Sequence, residues 1–214
     1  MTSHSKEKIS SDKILKNYIA FLSGSNAIEG ITNINYQNAY LQKANKGYFG
    51  AFLESQNLAA EKKSITVADI CIWQKLISAE QLDYGHAIPG QFVGVIKSCG
   101  KDNNISVEQQ KQRLERFLSN LDQNLKNNPH PDLETLSRIL ADAFHGFISL
   151  NLFADGNNRV GRLLVNYVMG WYSLPILIFQ KSERYDFFNA YQNVSLMKKF
   201  MANKLQKEKI FQKD

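Results

Sequence analysis

Phe153-Ala154-Asp155-Gly156-Asn157-Asn158-Arg159-Val160-Gly161-Arg162 is the stretch on which the reading of this chain turns. Gly156 can take a positive φ, which lets the chain reverse sharply. The residues after it open a helix, whose first N–H groups have no intrahelical partner. Those free donors and the helix dipole favour an anion above the helix end. Arg159 and Arg162 stand three apart and share a helix face. A guanidinium is a planar fork that matches phosphate oxygens. Asp155, at the rim, is placed to hold Mg²⁺ through oxygen once a phosphate is present. From the residues alone two readings stand. One is a capped helix whose arginines pair with surface acids. The other is an anion site, supported by the clustering of these groups between apolar segments, where charge without a partner is costly.

On the N-terminal side of this turn, Leu136, Ile139, Leu140, Ala143, Phe147 and Leu150 recur at helical spacing. On the C-terminal side Leu163, Leu164, Tyr167 and Val168 do the same. The pattern predicts helices over 133–150 and 158–170, joined by a tight turn at 154–157, as the centre of the domain. Pro131 suits a first helical position after a loop at 127–131. Ser106 with Gln109 resembles a capping box and starts a helix carrying Leu114, Phe117, Leu118, Leu121 and Leu125. Thr66 with Asp69 starts another, with Ile70, Trp73, Leu76 and Ile77 as its apolar stripe. Toward the N-terminus, helices are expected over 12–22, 36–44 and 48–60. The first carries Ile14, Tyr18, Phe21 and Leu22, is interrupted at Ser23-Gly24-Ser25, and is followed by a short stretch that Gly30 ends. The last carries Phe49, Phe52 and Leu53. Residues 185–209 close the fold, with Val194, Met201 and Leu205 inward and lysines outward. Pro89-Gly90 is a turn signal, the Phe92-Val93-Gly94-Val95-Ile96 run has strand character, and 100–104 reads as a loop. A small, exposed β-hairpin on a mainly α protein is the expectation.

Composition bounds the rest. The chain has 214 residues, 43% hydrophobic and 11% aromatic, enough for a core in one domain. Residues 1–13 are polar and lack the apolar run of a signal peptide. No window reaches the roughly 20 apolar residues that cross a bilayer, so no membrane partner is expected. Cys71 and Cys99 form no metal or redox pattern and are read as reduced. That fits a cytoplasmic protein, or an effector secreted without a cleaved signal. A net charge of +6 suits an anionic partner, but no nucleic-acid-binding module is recognisable. Glu29, near a predicted helix end, is a natural partner for one of the arginines if the two segments meet.

With those residues in hand, the chain resembles the Fic (Fido) domain family. Its members carry a His-Pro-Phe-x-Asp/Glu-Gly-Asn-Gly/Lys-Arg-x-x-Arg string, and here the matching stretch runs from Asn151-Leu152-Phe153 to Arg162. His145 matches a histidine common upstream of that string, and Leu163-Leu164 is typical of the helix that follows it. Ser25-Asn26-Ala27-Ile28-Glu29-Gly30 resembles the family's inhibitory motif, Ser/Thr-x-x-x-Glu-Gly/Asn. Pro89-Gly90 and the residues after it resemble the flap that docks the target. The resemblance runs over about 15–191. It implies a single Fic-like helical domain over 1–214, with an inhibitory-type segment at 12–30 and a core over about 60–200.

By position, the resemblance implies transfer of AMP from ATP to a protein hydroxyl, with ATP and Mg²⁺ as the small partners. Asp155 would bind the Mg²⁺. Gly156, Asn157 and Asn158 would cradle phosphates through the backbone, and Arg159 would hold the transferred or neighbouring phosphate. Arg162 would hold the terminal phosphate or, in an inhibited state, pair with Glu29, with Ser25 and Gly30 completing that motif. Phe92, Val93, Val95, Ile96 and Lys97 would pin an extended protein target by strand addition. Assembly of identical chains is left open.

The departures fall where the chemistry sits. Asn151 occupies the position of the catalytic histidine, and an amide has no basic nitrogen to take the proton of a target hydroxyl. Loss of a general base costs about 10²- to 10⁴-fold. His145 is six residues up a helix, about 9 Å along the axis, and is expected to be hydrogen-bonded within the core. His86 precedes the flap. Leu152 replaces proline, Asn158 replaces glycine or lysine, and Val93 stands where members often carry arginine. Two functions follow: a weak or altered protein adenylyltransferase, or an inactive relative serving as a nucleotide-binding or protein-interaction module. A nucleic-acid binder using the lysine-rich surface is the third.

Overall fold

A computed structural model describes residues 11–29, 43–78, 88–93, 95–98 and 101–210. The helices form where apolar residues recur at helical spacing and where a side chain caps the start. Helix α1 spans Ser11–Glu29, α2 Lys43–Ala60 and α3 Val67–Ser78. At the start of α3, Thr66 Oγ1 accepts from Asp69 N–H at 3.3 Å and Asp69 Oδ2 accepts from Thr66 N–H at 2.7 Å, which satisfies two orphan donors at once. Ser106 and Gln109 do the same for α4, Val107–Asn127. Helix α5 is Leu133–Ala141. Its cap is Asp132, which accepts from Thr135 N–H at 2.8 Å, so Pro131 lies before the cap and not at the first helical position. Proline can only tolerate a missing donor there; the Asp132 carboxylate supplies an acceptor.

The predicted single helix over 133–150 is broken by a π-helical turn, Asp142–Gly146, before α6, Phe147–Leu150. Helix α7, Asn157–Trp171, is buried on nearly every face, which marks it as the central rod. Gly161 lets it approach the π turn, since a Cβ there would lie 3.0 Å from the Phe144 ring. Helices α2 and α3 pack on α7. Tyr167 OH donates to Lys63 O at 2.8 Å, and Gln56 Nε2 donates to Asn166 O at 3.0 Å. A short 3₁₀ turn, Lys181–Glu183, leads into α8, Arg184–Ala190, and α9, Val194–Lys207, which packs on α5. Core residues run from Tyr18 to Leu205. Among the described residues no helix is long and apolar enough to cross a membrane.

Several expectations need correction. Helix α1 continues unbroken through Ser23-Gly24-Ser25. Gly24 is there for packing: a Cβ would overlap the Phe179 carbonyl and touch Ile178 at 2.9 Å. Val194 begins α9 and is 40% exposed, not inward. Not every lysine of α9 faces water: Lys204 is 2% exposed, held by Glu183 at 2.9 Å and Glu208 at 3.0 Å. Burial of an ammonium is tolerated only with such pairing.

Strand β1, Val95–Ser98, pairs antiparallel with β2, Lys101–Asn104, from Val95↔Asn104 to Ser98↔Lys101. Pro89-Gly90 forms a turn, as its residues predict. Phe92 and Val93, expected in a strand, precede the ladder; Phe92 packs against the core, and Val93 N–H donates to Leu152 O. The 101–104 segment, expected as a loop, forms β2. Its Lys-Asp-Asn-Asn composition carries little strand propensity, and the ladder to β1 supplies what the side chains do not signal. The predicted helix over 36–44 falls mostly on residues outside those described, as do Cys99 and His86. Cys71 lies in α3 as a half-buried free thiol, and burial raises its pKa.

Gly24→Ala should destabilise the fold by about 2 kcal/mol, the usual cost of overpacking. A chain of this size then melts about 4–8 °C lower. Thermal unfolding followed by circular dichroism checks this; an unchanged midpoint would mean that α1 is not seated against 178–179.

Candidate functional site

The site grows from the loop between α6 and α7. Helix α6 ends at Asn151, in the left-handed region with φ 46° and ψ 55°. Asparagine and histidine are among the residues most often found there, so the backbone at this position admits either. Leu152 and Phe153 are buried and pin the loop to the core. Leu152 O accepts from Val93 N–H at 3.0 Å, and the Phe153 ring meets Phe92 at a centroid distance of 5.4 Å. Gly156, with φ +83°, precedes α7, and no side chain caps that helix. Asn157 braces the turn: its Oδ1 accepts from Phe153 N–H at 3.2 Å and its Nδ2 donates to Phe153 O at 2.6 Å. Its side chain is thus committed to the loop, leaving backbone donors for a ligand. Asn158 Oδ1 accepts from Tyr191 OH at 2.7 Å.

Each arginine of the turn meets a carboxylate. Arg159 Nη2 lies 2.7 Å from Asp155 Oδ2, and Nη1 donates to Ile77 O at 3.4 Å. Arg162 has 0% exposure. Its Nη1 donates to Glu29 Oε1 at 2.8 Å and its Nε to Ser25 Oγ at 2.8 Å. The fully buried Nη2 makes no hydrogen bond among the described residues. The 12–30 segment and the turn, 133 residues apart in sequence at this pair, therefore meet. Gly30, the last residue of the inhibitory-type motif, lies outside the described residues.

Sequence reasoning missed three side chains. Tyr48 of α2 lies 2.9 Å from Ser25 Oγ and donates to Arg159 O at 3.4 Å. Burial drives its phenol above the usual tyrosine pKa, against the lowering pull of Arg162, Ser25 and Arg159, so it stays protonated. Gln74 of α3 donates to Asp155 O at 2.9 Å. Arg184 Nε donates to Ile28 O at 2.9 Å and holds the end of α1. All three act across elements distant in sequence, where spacing carries no signal.

His145 is not a core histidine. It lies half-buried in the π turn, where its Nδ1 is 3.5 Å from Ser149 Oγ, and lines a pocket with Phe117, Asn120 and Asp142. Burial lowers its pKa, against the raising effect of Asp142. Of the flap residues, Phe92 and Val93 contact the 152–153 loop, while Val95, Ile96 and Lys97 are described only as the backbone of β1.

The donor set suits a phosphate: an uncapped helix start, a buried guanidinium nitrogen awaiting an acceptor, and a second arginine beside it. Asp155 suits Mg²⁺ only together with phosphate oxygens and water, the usual mode for that ion. No cluster of three or more metal-ligating side chains occurs among the described residues. Arg159 engages Asp155 Oδ2, while a carboxylate has a second oxygen to offer a metal ion.

The model of the Fic/DOC family matches residues 64–169. No curated protein matches the chain. Among solved structures, a Fic domain containing signaling protein from Bacteroides thetaiotaomicron aligns with TM-score 0.68 and 15% identity, over 93% of this chain and 90% of that one. Fic-1 (aa 134–508) from C. elegans aligns with TM-score 0.70 and 17% identity, over 96% of this chain. IbpAFic2 covalently tethered to Cdc42 aligns with TM-score 0.57 and 13% identity, over 94% of this chain. The chain spans 65% of the length of each of the last two. At these identities the likeness is one of fold. The family match begins at Ser64, beyond α1 and α2.

Asn157→Ala removes both bonds to Phe153 and should cost about 1–2 kcal/mol. The expected result is a lower melting temperature with unchanged helix content by circular dichroism. Wild-type stability in this variant would remove the bracing role.

Proposed function

We propose, on the premise that residues 64–169 are a Fic/DOC family domain, that the chain binds a nucleoside triphosphate at its 155–162 turn. In this reading it passes the adenylyl group to a protein hydroxyl slowly or by an altered route, the bond from the hydroxyl oxygen to the α-phosphorus forming as the α–β anhydride bond breaks, with pyrophosphate leaving and the hydroxyl proton passing to water. The observation that carries the reading is Arg162: a fully buried guanidinium, held by Glu29 and Ser25, with Nη2 meeting no acceptor among the described residues. A charge so placed favours a second anion.

Glu29, bonded to Nη1, occupies part of that anion's place in the resting protein. When it yields, Arg162 takes the terminal phosphate. Arg159, released from Asp155, takes its neighbour, and the backbone N–H groups of 156–158 face the chain of phosphates. Bound Mg²⁺ would supply neutralisation of phosphate charge, with Asp155 as its protein ligand. Residues 92–97 dock the target as an added strand. Two fold neighbours motivate a protein target: IbpAFic2 is known tethered to Cdc42, and a variant of it in complex with adenylylated Cdc42.

The transfer needs a group to take the proton of the target hydroxyl. Asn151 can orient that hydroxyl by hydrogen bonding but cannot accept its proton. Positioning and charge stabilisation remain and account for a slow reaction. The same substitution favours a second reading, a nucleotide-binding or protein-interaction module without transfer.

Calorimetric titration with ATP and Mg²⁺ should give about tenfold tighter binding to Glu29→Gly than to the natural protein, since the competing carboxylate is gone. Equal affinity would remove the inhibitory role of Glu29. An AMP-transfer assay on the natural protein, Glu29→Gly, Asn151→His and the double variant separates the two readings. Slow transfer by Glu29→Gly, accelerated about 10²-fold or more by adding Asn151→His, supports the enzyme. Transfer only where Asn151→His is present supports the module.

A further inference from the structure

We propose that Gln74 is a positioning residue that joins the base of the flap to the anion turn, so that occupancy of the turn is felt at the flap. Gln74 is buried on α3. Its Nε2 donates to Asp155 O at 2.9 Å and to Ser78 Oγ at 2.8 Å, and its Oε1 accepts from Gly90 N–H. Both donors and the acceptor of one amide are thus spent, two of the three on loops that meet nowhere in sequence.

The two glycines involved are fitted to this side chain and its helix. Gly156, at φ +83°, sits so that a Cβ would lie 3.2 Å from Ser78 Oγ and 3.5 Å from Gln74 Nε2. Gly90, at φ +82°, sits so that a Cβ would lie 3.1 Å from both Cys71 O and Lys75 Cβ. Side chains rarely adopt that backbone region, so both loops close on α3 by glycine.

The bond to Asp155 O has a consequence for the ligand. In a trans peptide the carbonyl and the following N–H point in opposite directions. Gln74 holds the Asp155 carbonyl, and so turns the Gly156 N–H away from α3. A flip of that peptide would replace a donor by an acceptor beside the incoming anion. The bond to Gly90 meanwhile fixes the start of the segment that carries Phe92 and Val93, whose own contacts are to Phe153 and Leu152. Gln74 therefore orients a phosphate donor and anchors the flap with one group. The transmission to the flap rests on the nucleotide-binding reading above; the clamp itself does not.

NMR-detected amide exchange tests the clamp without nucleotide, on the natural protein, Gln74→Leu, Gln74→Glu and Ser78→Ala. Gly90 N–H should exchange about tenfold faster in Gln74→Leu, and within about threefold of the natural rate in Ser78→Ala and in Gln74→Glu, which keeps an acceptor. Natural protection of Gly90 in Gln74→Leu overturns the clamp. ATP with Mg²⁺ is then added to the Glu29→Gly form. Protection at Gly90 and Val93 should change there and not when Gln74→Leu or Gln74→Glu is added; an equal response overturns the coupling. Should Gln74→Leu not fold, Gln74→Glu decides the coupling, because it removes the Nε2 donors to Asp155 O and Ser78 Oγ while keeping the acceptor for Gly90 N–H, and Ser78→Ala controls for the loss of the Ser78 bond. If ATP fails to bind the Glu29→Gly form, the nucleotide reading falls and the coupling with it, while the exchange rates without nucleotide still decide the clamp.

Discussion

A guanidinium with no exposed surface depends on its surroundings for partners, and around Arg162 helix α1 supplies them while two further elements hold α1 in place. Helix α1 brings Ser25 and Glu29. Helix α2 brings Tyr48, which steadies Ser25 from the other side. Helix α8 brings Arg184, which holds the end of α1 through Ile28 O. A buried charge stripped of its partner is strongly destabilising, while a paired one contributes little net stability. What such a pair secures is arrangement, here the seat of α1 over the anion turn.

The same kind of pairing serves the other arginine. Asp155 and Glu29 each neutralise one arginine of the turn. The Arg159–Asp155 pair is a single helical turn, part-exposed at the carboxylate. The Arg162–Glu29 pair joins two helices and has its cation fully buried. The second is the stronger lock, because separating it leaves a buried charge behind.

Asn151 shows what the turn requires of its backbone. The left-handed end of α6 requires a residue that tolerates positive φ, and asparagine meets that need as histidine does. The loop is then held by Leu152 and Phe153 in the core and by Asn157 across the turn, none of which depends on a base at 151. The geometry of the turn is therefore independent of the chemistry of the side chain at this position.

Much of this was legible in the residues. The caps at Thr66 and Ser106, the apolar stripes of α3 to α7 and the turn at Gly156 follow from local pattern, because helix period, capping and positive φ are properties of neighbours in the chain. The motif residues pointed to the helix start after Gly156 for the same reason. Other features were misread for want of tertiary contacts. Gly24 passes for a helix break unless the Phe179 carbonyl beside it is known. Lys204 passes for a solvated lysine unless Glu183 is known to face it. The Lys-Asp-Asn-Asn segment passes for a loop unless β1 is alongside. Sequence by itself determined which residues turn, cap and line a helix face, since those depend on steric and hydrogen-bonding partners a few residues away. The motif resemblance named Glu29 as a partner of Arg162, and the packing of α1 brings the two together; tertiary structure alone decided that Gln74 bridges Gly90 and Asp155. Partners so far apart in the chain are chosen by how helices pack, and no local pattern encodes that choice.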